Sequence, residues 1–158
     1  MLMLLFHAGD NLYALDSSQV VEVIPMVVVR KINHVPDYVA GVFNYRGTIV
    51  PVVDLCHLIQ GTPCRARFST RIIMVNYTAK DGGHHCLGLM AERVTETLSR
   101  PDLSPNALIV KDVPYLGEMF MDEKGMIQFI HWEHLITDAK HASLLAGGNI
   151  HTNDASSN

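Results

Sequence analysis

The chain has 158 residues, which corresponds to one ordinary domain or to two very small ones. Hydrophobic residues make up 48% of it and charged residues 18%, and this composition excludes an intrinsically disordered chain. The formal net charge of −4 and the lack of a basic cluster in the sequence argue against nucleic acid as a partner.

The N-terminal apolar stretch and the cysteine content indicate the compartment. Residues 2–6 are apolar, but no positive charge precedes them, and they are too few for a secretory signal or a bilayer span. We therefore expect no direct insertion into a membrane. Cys56, Cys64 and Cys86 are an odd, sparse set that does not resemble a disulfide framework. We expect a cytoplasmic protein with reduced thiols.

Short segments rich in Val and Ile, separated by Gly, Pro and polar turns, predict a mostly β protein. Arg46 and Gly47 separate two such segments and predict a tight reversal. Pro51 lacks an amide proton, so its strand must be an edge strand or be bulged there. The predicted strands cover residues 2–7, 12–15, 27–32, 38–45, 48–55, 72–77, 86–97, 107–113, 115–121 and 126–130.

Helix signals occur at two places. Asp16 is a suitable N-cap with Gln19 three residues later, and Pro25 cannot continue a helix, so we predict a two-turn helix over residues 17–24. A helical spacing puts Val20, Val23 and Ile24 on one face, with Glu22 off it.

The second helix is predicted over residues 132–145. The stretches 56–70 and 99–106 are predicted loops. Residues 146–158 are small and polar, and we expect an unfolded tail there, so that the domain covers residues 1–145.

The sequence offers little for catalysis or metal binding. Cys56-His57 and the run from His84 to Cys86 are adjacent residues, and neighbours on a strand point to opposite faces. No C-x-x-C spacing or nucleophile elbow occurs. Glu92 and Glu96 would share a strand face, which we expect to be solvated. We predict no catalytic residue, no metal site and no cofactor.

The informative stretch is residues 38–55, which read YVAGVFNYRGTIVPVVDL. This stretch resembles the hallmark hairpin of the CheW-like domain family, G-V-x-N-L-R-G-x-I-x-P-V-x-D-L, and departs from it only where Tyr45 replaces the usual Leu. The similarity continues at Gly9 to Asp16, at Val20 to Val23, and at Gly88 to Val94, where Ala91 and Glu92 replace Val and Asp. It ends with the segment from Gly125 to Ile136, in which His131 stands where Asp or Asn is common.

The resemblance implies a fold and a function. The fold would be mostly β, with two small five-stranded SH3-like barrels, a hydrophobic groove between them, a short N-terminal helix and a C-terminal helix. The function would be that of a non-catalytic adaptor that couples the signalling tip of a methyl-accepting chemoreceptor to the regulatory domain of a CheA-type histidine kinase. Such a protein would be cytoplasmic and recruited to receptor arrays.

The resemblance also implies a receptor- and kinase-binding surface. Arg46 would lie at the hairpin tip, and Arg is frequent among residues that carry most of the binding energy of an interface. Gly47 would supply the positive φ of the turn, and Gly41 either a close backbone approach or a bulge. The larger Tyr45 would alter partner preference. The predicted surface comprises Val20, Glu22, Val23, Gly41, Asn44, Tyr45, Arg46 and Gly47.

Two other functions remain open from the residues. A metal- or redox-responsive regulator on the same fold would use Cys56-His57 or the run from His84 to Cys86. An enzyme on a β scaffold has no motif in its favour, and it would need a pocket with convergent polar groups and shifted pKa values.

Overall fold

The computed structural model describes residues 2–79, 82–99 and 112–137. Within them β-strands dominate, and helix is limited to a 3-10 turn at Ser17–Gln19 and two short α-helices. The strands are β1 (Leu2–Ala8), β2 (Asn11–Asp16), β3 (Val20–Pro25), β4 (Val39–Tyr45), β5 (Thr48–Asp54), β6 (Arg71–Thr78), β7 (His84–Ser99), β8 (Leu116–Asp122) and β9 (Gly125–Ile130). The helices are α1 (Leu55–Gln60) and α2 (His134–Thr137). No helix of the described segments is long and apolar enough to cross a membrane.

The strands form one continuous sheet whose two halves share β7. In the first half β7 pairs with β1, β1 with β2, β2 with β9, and β9 with β8. In the second half β7 pairs with β6 and β5, β6 with β3, and β5 with β4. Each half therefore contains five of the described strands, with β7 counted in both. Among the described pairings neither half closes on itself, so the two closed barrels are not established.

Strand alternation divides the apolar side chains into three clusters. In β6, Ile73 and Val75 enter a large central cluster between the two halves, whereas Ile72 and Met74 face a second cluster inside the β3–β7 half. In β1, Leu4 and Phe6 join the central cluster, and the neighbouring Met3 and Leu5 lie in the third cluster. The central cluster thus lies between the two halves, and it is buried.

Residues 17–24 are a correction, because they do not form a helix. Asp16 does act as a cap, since its Oδ1 accepts a hydrogen bond from the backbone amide of Ser18 at 2.9 Å, but it caps only the 3-10 turn. Val20 and Val23 then pack on the central cluster while Ile24 packs on the cluster of the β3–β7 half. A run of β-branched residues that must serve two faces is better accommodated in a strand than in a helix.

Two further predicted elements differ from the structure. Residues 27–32 contribute only an isolated bridge between Arg30 and Val42, not a strand. The predicted loop 56–70 contains most of α1, which begins where the Asp54 carboxylate accepts the amide of His57 at 3.0 Å and ends at Gly61 with a φ of 79°.

Some predictions fall wholly or partly outside the described residues. These are the predicted loop 99–106, of which only Ser99 is described and lies in β7, most of the predicted strand 107–113, and the tail 146–158. α2 lies within the predicted helix 132–145, the later part of which is likewise outside the described residues.

The hairpin of β4 and β5 matches its prediction closely. Arg46 and Gly47 have φ of 52° and 87°, and two consecutive positive values give the turn that suits a two-residue hairpin loop. The side-chain oxygen of Asn44 accepts the amide of Gly47 at 2.8 Å, which further fixes the turn. Pro51 pairs with Val42 across this hairpin, and pairing of β5 with β7 starts only at the next residue.

Gly41 is required for the approach of β4 to the preceding segment. Its φ is 149°, and a Cβ built there would lie 2.3 Å from the carbonyl oxygen of Arg30. The pairing of β4 with β5 also shifts register between Val39 and Gly41. Both sequence-based expectations for Gly41, close backbone approach and a bulge, are therefore confirmed.

Substitution of the two hairpin glycines by alanine is expected to have unequal effects. Gly41→Ala adds a clash with backbone to an unfavourable φ and should lower the free energy of unfolding by about 2–4 kcal/mol. Gly47→Ala, with nothing within 4 Å of its Cβ position, should cost only about 1 kcal/mol. Urea denaturation of both variants measures the difference, and equal losses would contradict the close approach at Gly41.

Candidate functional site

Three of the predicted site residues meet in one cluster on the surface. The carboxylate of Glu22 on β3 accepts hydrogen bonds from the Tyr45 hydroxyl and, at 2.8 Å, from Nη2 of Arg46. Both donors bond to the same oxygen, Oε1. The guanidinium carbon of Arg46 lies 5.1 Å from the centroid of the Tyr45 ring. We call Glu22, Tyr45 and Arg46, together with the turn residues Asn44 and Gly47, the hairpin patch.

The hairpin patch is ordered but open to solvent. The side chain of Arg46 is 69% exposed and that of Glu22 is 34% exposed. Desolvation raises the pKa of Tyr45, and the hydrogen bond to Glu22 raises it further, against an opposing effect of Arg46. Tyr45 therefore stays protonated at neutral pH and remains a donor to Glu22. An exposed ion pair of this kind adds little to the free energy of unfolding. Its main effect is to hold Arg46 in one orientation.

The other predicted site residues, Gly41, Val20 and Val23, pack within the fold and lie outside the hairpin patch. Gly41 is buried where the backbone of β4 passes close to Arg30. Val20 and Val23 are half-buried against the central cluster, so they do not form an open apolar face.

The residues that expose apolar surface near the hairpin patch are Val21 and Ile49. Neither was predicted as a site residue. The exposure of Ile49 could have been predicted from its position opposite the exposed Asn44 in the hairpin, because this position turns the Ile49 side chain outward. For Val21 the sequence offers no such signal, because a register shift lies between Val20 and Glu22 and no local pattern predicts it.

A surface groove of about 550 Å³ runs beside the hairpin. One wall comes from β4 and β5 with Tyr45, Arg46 and Ile49, and the other from the ends of β6 and β7 with Tyr77 and Cys86. Aromatic, cationic and aliphatic groups therefore line one concave surface, which is a composition frequent at protein interfaces.

The His and Cys run on β7 contacts side chains of β6. His85 stacks on Tyr77 with 5.4 Å between ring centroids, whereas the Cys86 thiol donates to Oδ1 of Asn76 at 3.1 Å. His84 lies 3.5 Å from the Thr78 hydroxyl. Among the described residues, the one group of potential metal ligands is Asp54, Cys56 and Cys64.

The two cysteines of that group are joined in a disulfide, which corrects the expectation of reduced thiols. A disulfide sulfur is not the thiolate that a metal site requires. Asp54 is also occupied, since its carboxylate accepts backbone amides from His57 and Cys64. Burial raises the pKa of Asp54, and these hydrogen bonds oppose the shift.

Glu92 is a second correction, because it is buried rather than solvated. Only 3% of its side chain is exposed, while its partner Arg65 is 49% exposed. Glu92 accepts the backbone amide of Arg65 at 2.6 Å and two guanidinium hydrogen bonds at 3.2 Å. Burial alone would raise the pKa of Glu92, but the bonds from Arg65 outweigh it and lower the pKa below its ordinary value. The pair ties the loop before β6 to β7.

The fold and the site together define a class of protein. It is a mostly β module of two linked five-stranded halves that displays an ion-paired hairpin at its surface. The chain belongs to the CheW-like domain family, whose profile matches residues 2–140.

Curated relatives and a solved structure agree with this assignment. The chain is 30% identical over 96 residues to the chemotaxis protein CheW of Klebsiella aerogenes, across 61% of this chain and 55% of that protein. It is 38% identical over 60 residues to CheW of Treponema pallidum, across 36% and 35% of the two chains. The matches thus span about half or less of these relatives. The crystal structure of scaffolding protein TtCheW from Thermoanaerobacter tengcongensis superposes with a TM-score of 0.66 and 25% identity, over 82% of each chain.

Replacement of the buried carboxylate should reveal its contribution. At pH 7, Glu92→Gln is expected to lower the free energy of unfolding by about 1.5 kcal/mol, because charge-assisted hydrogen bonds become neutral ones. Since the folded-state pKa of Glu92 is lowered, its stabilisation is present above pH 4.5 and is lost as the pH falls through the folded-state value. The difference between wild type and variant should therefore shrink in acid, as measured by urea denaturation across pH.

A matched control is Glu96→Gln on the same strand. Glu96 is exposed and pairs with Lys124, so its loss should change stability by less than about 0.5 kcal/mol at pH 7. Equal effects of the two substitutions would show that burial of Glu92 has no energetic consequence.

Proposed function

We propose that the protein is a non-catalytic adaptor of a chemosensory array, and that it links the signalling tip of a methyl-accepting chemoreceptor to the regulatory domain of a CheA-type histidine kinase in the cytoplasm. The observation that carries this proposal is the exposed, pre-ordered hairpin patch within a CheW-like domain. The names of the relatives, which are chemotaxis and scaffolding proteins, support it.

The geometry of the hairpin patch suits partner binding. Arg46 uses one nitrogen for Glu22 and keeps most of its guanidinium in solvent. A planar guanidinium presents several donors in a fixed arrangement and pairs well with a carboxylate of another protein. Because Glu22 and the Tyr45 ring already orient Arg46, less conformational entropy is lost when a partner docks.

Tyr45 is the position where this chain departs from the family motif. Its hydroxyl bonds to Glu22, so the polar atom is satisfied within the chain, and its half-buried ring packs on the cluster of the β3–β7 half. We infer that the cognate partner accommodates this larger ring beside Arg46. Specificity of this kind is a difference between two affinities, and a partner shaped for Leu would bind more weakly.

The distribution of ionisable groups also favours an adaptor over an enzyme. The two described carboxylates with shifted pKa values, Asp54 and Glu92, each bond to backbone amides of the loop that follows α1. Their roles are therefore structural. Catalytic sites instead gather such groups around a substrate pocket.

Charge reversal at the hairpin tip tests the proposal. Arg46→Glu should weaken binding to the kinase regulatory domain or to the receptor signalling domain by about tenfold or more, because it places like charges beside Glu22 and removes the guanidinium. Isothermal titration calorimetry with each purified partner from the same cell measures the change.

The control is Lys124→Glu, which makes the same charge change at the β8–β9 turn and also breaks an ion pair with a glutamate. This variant should bind both partners as the wild type does. If the two reversals act alike, the hairpin patch is not the contact. If wild type retains neither partner at tens of micromolar, the adaptor function itself is wrong.

A further inference from the structure

The disulfide between Cys56 and Cys64 joins α1 to the loop that follows it. The two residues are 8 apart in sequence, and their Cα atoms are 5.1 Å apart. Cys56 lies within α1, whereas Cys64 lies beyond the Gly61 cap. We call this disulfide the clasp. The third cysteine, Cys86, is a free thiol elsewhere in the second half of the sheet.

The loop around the clasp is also held by bonds that do not involve sulfur. The amide of Cys64 donates to both carboxylate oxygens of Asp54, at 3.1 and 3.3 Å. The next amide, that of Arg65, donates to Glu92, and the Thr70 hydroxyl donates to the carbonyl of Arg65. These bonds would keep the two sulfurs close together after reduction, so the clasp can open and close again.

Both sulfurs also face groups that suit the reduced state. Sγ of Cys64 lies 3.6 Å from the carbonyl oxygen of Met90, and Sγ of Cys56 lies 3.9 Å from that of His7. A thiol at either position would have a weak hydrogen-bond acceptor in place. Reduction therefore leaves neither sulfur in a purely apolar environment.

The two sulfurs differ in their access to solvent. Cys56 is fully buried in the central cluster. Cys64 is partly exposed and lines a cavity of about 480 Å³, together with Met26, Lys31, Pro36 and Pro63. A small thiol can therefore reach Cys64 and not Cys56.

We propose that the clasp is a reversible redox device, opened and closed by exchange with a small-molecule thiol of the glutathione class. The inference rests in part on the proposed function, because disulfides in the cytoplasm are usually redox-sensing or catalytic. In opening, a glutathione thiolate attacks Sγ of Cys64, the bond to Cys56 breaks, and Cys56 leaves as a thiolate that takes up a proton. A second glutathione thiolate then attacks the glutathione sulfur of the mixed disulfide, the bond to Cys64 breaks, and Cys64 leaves as a thiolate that takes up a proton.

The net reaction converts one protein disulfide and two glutathione thiols into two protein thiols and one glutathione disulfide. Two electrons pass from glutathione to the protein, and closing is the reverse. Its consequence is local: opening frees the first turn of α1 from the loop and loosens one wall of the cavity lined by Cys64.

The test uses the full chain with Cys86→Ser as background, which removes the other thiol and keeps a donor to Asn76. The protein is equilibrated with a series of reduced-to-oxidised glutathione ratios, and protein thiols are counted by maleimide labelling and mass spectrometry. We expect conversion between no free thiol and two within that series. A clasp that stays oxidised in about 5 mM reduced glutathione, or never forms, overturns the proposal.

Two single variants test the order of attack. With oxidised glutathione, Cys56→Ala should accumulate a mixed disulfide at Cys64, about tenfold more than Cys64→Ala accumulates at Cys56. Equal labelling would contradict the assigned roles.

Hydrogen exchange should show faster exchange in residues 57–64 of the reduced background protein, and its melting temperature should fall by about 5 °C. Unchanged exchange would show that opening has no structural effect.

These measurements need no receptor or kinase. If the thiol count responds but no partner binds, the redox device stands and the adaptor function fails. If partners bind but the clasp does not respond, the adaptor function stands and the redox device is wrong.

Discussion

The structure depends on one strand that belongs to both halves of the sheet. β7 runs for 16 residues, pairs with β6 through Ala91 and then with β1 from Glu92 onward. Directly after Glu92, where the pairing with β1 shifts register, Arg93 has a φ of 48°, an unusual value for a non-glycine residue, and the irregularity bends the strand from one half to the other. Side chains from both ends of the bend enter the central cluster, so the two halves are held together by burial of apolar surface rather than by a linker.

The hairpin patch exists because β3 lies near the tip of the β4–β5 hairpin. Glu22 comes from one strand, and Tyr45 and Arg46 come from a segment more than twenty residues later. The ion pair is exposed and stabilises the fold little, but it limits the orientations available to Arg46. An arginine that is already held in one orientation loses less conformational entropy on binding than a freely rotating one. This difference suits the proposed binding role of the patch.

The same half of the sheet carries both the hairpin patch and the cavity beside the clasp. β4 connects them directly, since it begins at Val39 and Ala40 in the cavity wall and ends at Tyr45 in the patch. Gly41 lies between the two, pressed against the backbone of Arg30. A change in the cavity wall therefore has a short, packed route to the proposed interaction surface, and coupling between the two sites requires that both bias one structural element.

The sequence alone determined the elements that depend on interactions between residues close together in the chain. Short Val- and Ile-rich segments between turn residues defined most strands, and the Arg46-Gly47 turn followed from the conformational freedom of glycine. Only the tertiary structure decided what depends on distant partners. Residues 20–24 lie in a strand because they pair with β6, and Glu92 is buried because it is paired with Arg65. The clasp likewise needed α1 to place Cys56 beside Cys64. Intrinsic helix and strand propensities contribute at most about 1 kcal/mol per residue to stability. Pairing with a neighbouring strand or with an opposite charge therefore outweighs them.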